Sequence, residues 1–157
     1  MSASLSRLKK LGSLAAPQRK ALAFAWLVLP AMTVCVRLLG LQKTRVLFGV
    51  AQIARPVRPQ DCAARPLVRE IARLTHVTAS YLPFSISCLP LALTQMWLLN
   101  RNDLPSELRI GVRRRQVGIE AHAWIEYCGE PLTEPMAVHE NFAAFDAGNG
   151  SRPPDWR

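Results

Sequence analysis

Apolar and polar positions along the chain fall into two regimes: helical spacing to about residue 100, then two-residue alternation. Residues 21 to 39 are almost continuously apolar. A second helical pattern runs from about Pro66 to Thr78. A third opens at Cys88 and places Leu89, Leu93, Met96, Trp97 and Leu99 at near-helical intervals, stopping around Asn100-Arg101-Asn102-Asp103 before Pro105. The alternation then appears in Glu107-Leu108-Arg109-Ile110-Gly111-Val112-Arg113 and again from Ile119 to Tyr127, which predicts two antiparallel strands. Helices followed by a small antiparallel sheet predict an α+β fold, with the Cys88 helix as its central buried element.

Strand geometry sorts the second alternating run into two faces. Glu120, His122, Trp124 and Glu126 share one, and Ala121, Ala123, Ile125 and Tyr127 the other. The turn beyond it decides what lies opposite His122. A three-residue loop, Tyr127-Cys128-Gly129, pairs Glu126 with Glu130 and sets Glu134 against His122. A two-residue loop at Cys128-Gly129 turns Glu134 to the other face, leaving Glu120 and Glu126 as the carboxylates near the imidazole.

Cys88 follows Ser85-Ile86-Ser87 and precedes Leu89-Pro90. Ser is a preferred N-cap and Pro is accommodated in a first helical turn, so Cys88 is expected at a helix N-terminus. There the unpaired N–H groups and the helix dipole favour a thiolate, the nucleophilic form of cysteine. A lone cysteine on an apolar helix is ordinarily packing, and a lone histidine on a strand is ordinarily structural. Their order, Cys at a helix start before His in a strand, is that of a papain- or transglutaminase-type thiol site.

These residues resemble the lasso-peptide leader peptidases, transglutaminase-like maturation proteins. The likeness rests on Cys88-Leu89, Leu91-Ala92-Leu93, Leu98-Leu99, Leu104-Pro105, Leu108-Arg109-Ile110-Gly111-Val112, and above all Ala121-His122-Ala123-Trp124-Ile125-Glu126 with Gly129 behind it. The resemblance implies a papain/transglutaminase-like core with an N-terminal helical extension. It also implies Cys88 as nucleophile, His122 as base, and Glu134 as the orienting carboxylate where aspartate is common. The implied activity is cysteine endopeptidase cleavage of the leader from a lasso precursor peptide, without a cofactor. The implied partners are a separate winged-helix-like leader-recognition protein and an ATP-dependent lasso cyclase. A transglutaminase-type acyl transferase, or a non-catalytic peptide-binding module on the same fold, are the alternatives.

Charge adds a partner surface to this reading. Residues 1 to 60 hold ten Lys or Arg and no acid, whereas residues 61 to 157 hold ten basic and eleven acidic residues, so +10 and −1 give the chain's +9. The N-terminal cations flank apolar stretches without groove-reading or aromatic-studded motifs, so an acidic protein or a membrane surface is expected ahead of nucleic acid. Residues 1–60 are read as a basic helical region for partner docking and residues 61–157 as the peptidase core, the whole forming one compact unit. The run over 21 to 39 contains Pro30 and Arg37 and is short for a span; it reads as a core or docking helix that also allows peripheral membrane contact. Arg113-Arg114-Arg115 forms a second basic cluster near the expected cleft, suited to substrate carboxylates or to solvent.

The remaining cysteines change the picture little. Cys35, Cys62, Cys88 and Cys128 include no Cys-x-x-Cys pair, and His76, His122 and His139 make no helical pair, so no metal site is expected. A chain of 157 residues that is 50% hydrophobic buries a core without staples. No disulfide framework and a reduced, cytoplasmic setting are therefore expected. Residues 55–59 read as a proline-containing bend and 149–157 as an irregular tail.

Overall fold

The computed structural model describes residues 16–50, 59–133 and 141–146. Helix α1 spans Ala16–Leu47, a short 3-10 helix Pro59–Ala64, α2 Arg65–Tyr81 and α3 Cys88–Asn100; strands β1 to β4 span Glu107–Arg114, Ile119–Tyr127, Glu130–Pro131 and Ala143–Asp146.

The apolar run expected over 21 to 39 is continued by α1 as far as Leu47, with Pro30 inside and a break at Gly40, whose φ of 76° and ψ of 176° are non-helical. One side of α1 carries Ala25, Val28, Leu29 and Met32 into the core. That core is shared with Val68 and Ile71 of α2, Leu93, Met96 and Leu99 of α3, and Leu108, Ala123, Ile125 and Tyr127 of the sheet. The segment Ala23–Leu47 has the length and apolar composition of a membrane span, but this inner side belongs to the common core. Phe24 meets Trp97 of α3 edge-on at 5.8 Å, and the Arg101 guanidinium lies 4.9 Å from the Trp97 ring, closing the outer end of the same contact.

Helix α2 buries Val68, Ile71, Ala72, Leu74, Thr75 and Thr78, a stripe at helical spacing, while Arg69 and Arg73 stay outside. It runs three residues beyond the expected Thr78 and ends at Tyr81, because Leu82 precedes a proline and takes the extended conformation. Helix α3 differs in kind. Pro90, Ala92, Leu93, Thr94, Gln95, Met96, Leu98 and Leu99 are all buried, so it has little solvent face and sits between α1, α2 and the sheet. The hydroxyls of Thr33, Thr44, Thr75, Thr78 and Thr94 each donate to the carbonyl four residues back, at 2.7 to 2.9 Å. Among the described residues, buried threonine therefore leaves no hydroxyl proton unsatisfied.

The sheet is antiparallel with order β3-β2-β1-β4. Leu108 pairs with Ile125, Ile110 with Ala123 and Gly111 with His122. Directly opposed residues share a face, so Leu108, Ile110, Ala123 and Ile125 face the helices, while Arg109, Gly111, Arg113, His122, Trp124 and Glu126 occupy the other side. Strand β4 has too short and too alanine-rich a sequence to announce itself by alternation; its pairing along β1 makes it a strand. The turn after β2 is the two-residue form, with Tyr127 paired to Glu130 and positive φ at both Cys128 (53°) and Gly129 (75°). This left-handed pair matches the twist of a tight hairpin, and the three-residue loop that set Glu134 against His122 is not formed.

The cysteine expectation is corrected. Cys62 and Cys128, 66 residues apart, form a disulfide, leaving Cys35 and Cys88 as the free thiols. The 3-10 helix and the hairpin turn meet only in the folded chain, and Arg65 Nη1 donates to Glu130 Oε2 at 2.6 Å beside the same contact. The inference of a reducing compartment from unpaired thiols therefore loses its basis. Thiol titration of the denatured, unreduced protein is expected to count two thiols, rising to four after reduction. Cys62→Ala is expected to lower unfolding free energy by about 2–4 kcal/mol in urea; unchanged stability would mean the bond is absent in solution.

Candidate active site

Seating α3 in the core brings its N-terminus to the surface beside the edge of β2. Ser87, with φ −78° and ψ 162°, is the extended residue before the first helical turn, and Cys88 is the first helical residue. The serine makes no side-chain cap bond, so position alone, with Pro90 tolerated in the first turn, starts the helix there. The N–H groups of Cys88 and Leu89 have no acceptor within the helix. Cys88 is half-buried and its thiol is free.

Cys88 and His122 line one pocket of about 450 Å³. Its walls are His76, Ala79 and Ser80 of α2, Leu91, Ala92 and Gln95 along α3, Ala123 and Trp124 of β2, and Thr133 after β3. Cys88, Ala92 and Gln95 follow at i, i+4 and i+7 on one face of α3, so the small Ala92 leaves the space between the thiol and the amide open. Gln95 is buried and its Nε2 has no hydrogen-bond partner. The disulfide joins the 3-10 helix to the β2–β3 hairpin and the Arg65–Glu130 pair joins the first residue of α2 to it, whereas the pocket walls of α2 lie toward its other end.

His122 is flanked by two aromatic rings on the outer face of the sheet. The Trp124 indole is stacked on it, 5.9 Å between centroids at 19°, and Phe142 lies 5.3 Å away. Gly111 stands directly across from His122, and a Cβ there would fall 2.8 Å from Phe142 Cβ and 2.9 Å from Trp124 Cη2. The glycine is needed because the rings occupy its side-chain space. The indole Nε1 donates to Glu126 Oε1 at 3.0 Å, and Arg109 Nε donates to Glu126 Oε2 at 3.1 Å.

The two carboxylates offered as substitutes for Glu134 are thus engaged with other groups. Glu126 holds Trp124 and Arg109; Glu120 accepts from both Arg113 and Arg115. Glu134 lies outside the described residues. The basic cluster is partly neutralised by Glu120, and Arg113 also lies over the Phe142 ring, 4.7 Å from its centroid. Strand alternation already placed Trp124 beside His122, whereas Phe142 and Gln95 carried no sequence signal. Phe142 reaches the site through β4, and Gln95 looks like any residue of an apolar helix.

A family model described as the transglutaminase-like superfamily matches residues 19–145. The chain belongs to that superfamily. Neither a curated protein nor a solved structure matches it. The superfamily includes cysteine peptidases and acyltransferases, and the match begins within α1, so the helix that shares the core also lies inside the transglutaminase-like region.

The Glu120 carboxyl is held below the usual carboxylate range because Arg113 and then Arg115 donate to it. A depressed carboxyl pKa stabilises the folded hairpin above the unfolded value of about 4.3, and that contribution is lost as pH falls through the lower folded value. An NMR titration of the Glu120 side chain is expected to show its midpoint below the free value, with amide protection at Arg113–Glu120 falling over the same range. Glu120→Gln is expected to remove that acid dependence.

Proposed function

We propose that this chain is a cysteine endopeptidase that removes the leader from a lasso-peptide precursor. The observation that carries the reading is the placement of Cys88, at a helix start, and His122, on the adjoining strand, in the wall of one pocket. Support comes also from the superfamily match and from the His-Ala-Trp-Ile-Glu run at residues 122–126.

In this reading His122 takes the thiol proton and the Cys88 sulfur attacks the scissile carbonyl carbon, forming a tetrahedral oxyanion. The N–H groups at the start of α3 lie where that charge develops, and the Cys88 N–H is the candidate donor. Collapse expels the leaving amine, protonated by His122, and leaves a thioester; water activated by His122 then releases the leader carboxylate. Glu134, twelve residues after the histidine, is assigned to orient the imidazole on the family resemblance alone, since the two-residue turn does not form the register that would set it against His122. The pocket volume suits one or two substrate side chains, and Gln95 Nε2 offers a buried donor to a substrate oxygen.

The test is mass spectrometry of the cognate precursor incubated with its recognition protein and either the wild type or Cys88→Ala. Cleavage at one bond is expected from the wild type, with at least about a 10³-fold slower rate for the variant. Equal cleavage by both would reject the assignment, and transfer of the acyl group to an amine would identify an acyltransferase.

Leader recognition falls to a separate protein, and the outer side of α1 is the proposed docking surface. Leu27 and Leu38 are 73% and 77% exposed, with Val34 and Ala31 between them at helical spacing. Arg37 and Lys43 border the stripe, and residues 1–60 contain no acid, so an acidic partner surface is complementary. Leu27→Glu with Leu38→Glu is expected to weaken binding to the leader-bound recognition protein by about tenfold or more while leaving Cys88 thiol reactivity unchanged. Unchanged affinity by calorimetry would place the docking surface elsewhere.

A further inference from the structure

Behind His122, the outer face of the sheet holds a connected set of side chains that the peptidase chemistry does not itself require. Strand period puts His122, Trp124 and Glu126 on that face in succession. Trp124 is buried, and the plane of its indole is within 19° of the imidazole plane. A tryptophan side chain has two torsions, and its one polar atom, Nε1, donates to Glu126 Oε1 at 3.0 Å. That bond sets the rotation of the ring from one end. Gly111 limits it from another, since the ring atoms Cη2 and Cζ3 lie 2.9 and 3.0 Å from where a Cβ would stand.

Glu126 is itself only 5% exposed, and a buried carboxylate is costly unless it is paired and hydrogen-bonded. Arg109, on the neighbouring strand, supplies the pairing: its Nε donates to Glu126 Oε2 at 3.1 Å, and its Nη2 donates to Glu107 Oε2 at 2.7 Å. Glu107, Arg109, Glu126, Trp124 and His122 thus form a continuous series in which each group is held by the one before it. Stability alone does not account for the choice of residues, because a buried ion pair is often replaced by apolar side chains at no loss.

We propose that Glu126 is a positioning residue for His122, acting through the indole of Trp124. With the indole locked by its N–H, the imidazole has a fixed wall on the side of the strand and keeps one orientation toward the pocket that holds Cys88. Without the carboxylate the indole proton is buried and unpaired, the ring turns to find another acceptor, and the wall moves. The proposal rests on the reading of His122 as the partner of Cys88.

The experiment measures two things on the full chain: the pH dependence of Cys88 alkylation by iodoacetamide, which needs no substrate, and the kcat and KM of precursor cleavage. His122→Ala, in a background where Cys35 is replaced by serine, sets the fully uncoupled alkylation profile. Glu126→Leu and Trp124→Phe are each expected to move the alkylation midpoint toward that limit by about half a pH unit. Both are expected to lower kcat by about 10- to 100-fold with little change in KM. Glu126→Gln keeps an oxygen acceptor for the indole and is expected to stay close to the wild type in both readouts. The double variant is expected to be no worse than the poorer single, because both remove one bond.

An unchanged alkylation profile in folded Glu126→Leu, or a Glu126→Gln as impaired as the leucine variant, would overturn the proposal. If Glu126→Leu does not fold, Trp124→Phe decides alone: a wild-type profile overturns it. Absence of precursor cleavage by the wild type, with the alkylation shifts as expected, would reject the leader-peptidase reading and leave the positioning role standing.

Discussion

Everything in this molecule depends on where α3 is held. A helix with so little polar surface has no stable place except between other apolar layers, and α1, α2 and the inner face of the sheet supply them. Because it is buried along its length, its direction is fixed by packing on several sides at once. Its N-terminus is where it leaves the core, and Cys88 is the residue at that exit. The nucleophile candidate is thereby placed by hydrophobic burial rather than by any bond of its own.

The sheet completes the arrangement by dividing its labour between faces. Leu108, Ile110, Ala123 and Ile125 take part in the helical core, so β1 and β2 cannot slip by a residue without exposing that set. The fixed register carries a consequence for the opposite face, where His122 necessarily stands across from Gly111 and beside Trp124 and Phe142. An apolar requirement on one side thus sets the chemical surroundings on the other.

Two local ties hold the β2–β3 hairpin to the helical layer. The Cys62–Cys128 bond joins the 3-10 helix to the β2–β3 hairpin, and the Arg65–Glu130 pair joins the first residue of α2 to it. Thr133, just past β3, and His76, Ala79 and Ser80 of α2 are walls of the pocket shared by Cys88 and His122. The α2 walls stand toward the far end of that helix from Arg65, so the two ties bear on the pocket through the hairpin side, where Thr133 follows β3.

Much of this was present in local sequence. Helical spacing located α2 and α3, two-residue alternation located β1 and β2, and serine before Cys88 with Pro90 after it located the helix start that carries the thiol. Those features are legible because they depend on neighbours within a turn or along one strand. The strand period also put Trp124 and Glu126 on the face of His122 without any tertiary information. What the sequence could not decide is whatever joins distant segments: the disulfide across 66 residues, the contribution of β4 and Phe142 to the imidazole's surroundings, the depth of Gln95, and the two-residue turn after β2. In each of these the local propensity is weak or divided. Packing between elements remote in the chain chose the outcome, since the free energy of such contacts exists only once the core has brought them together.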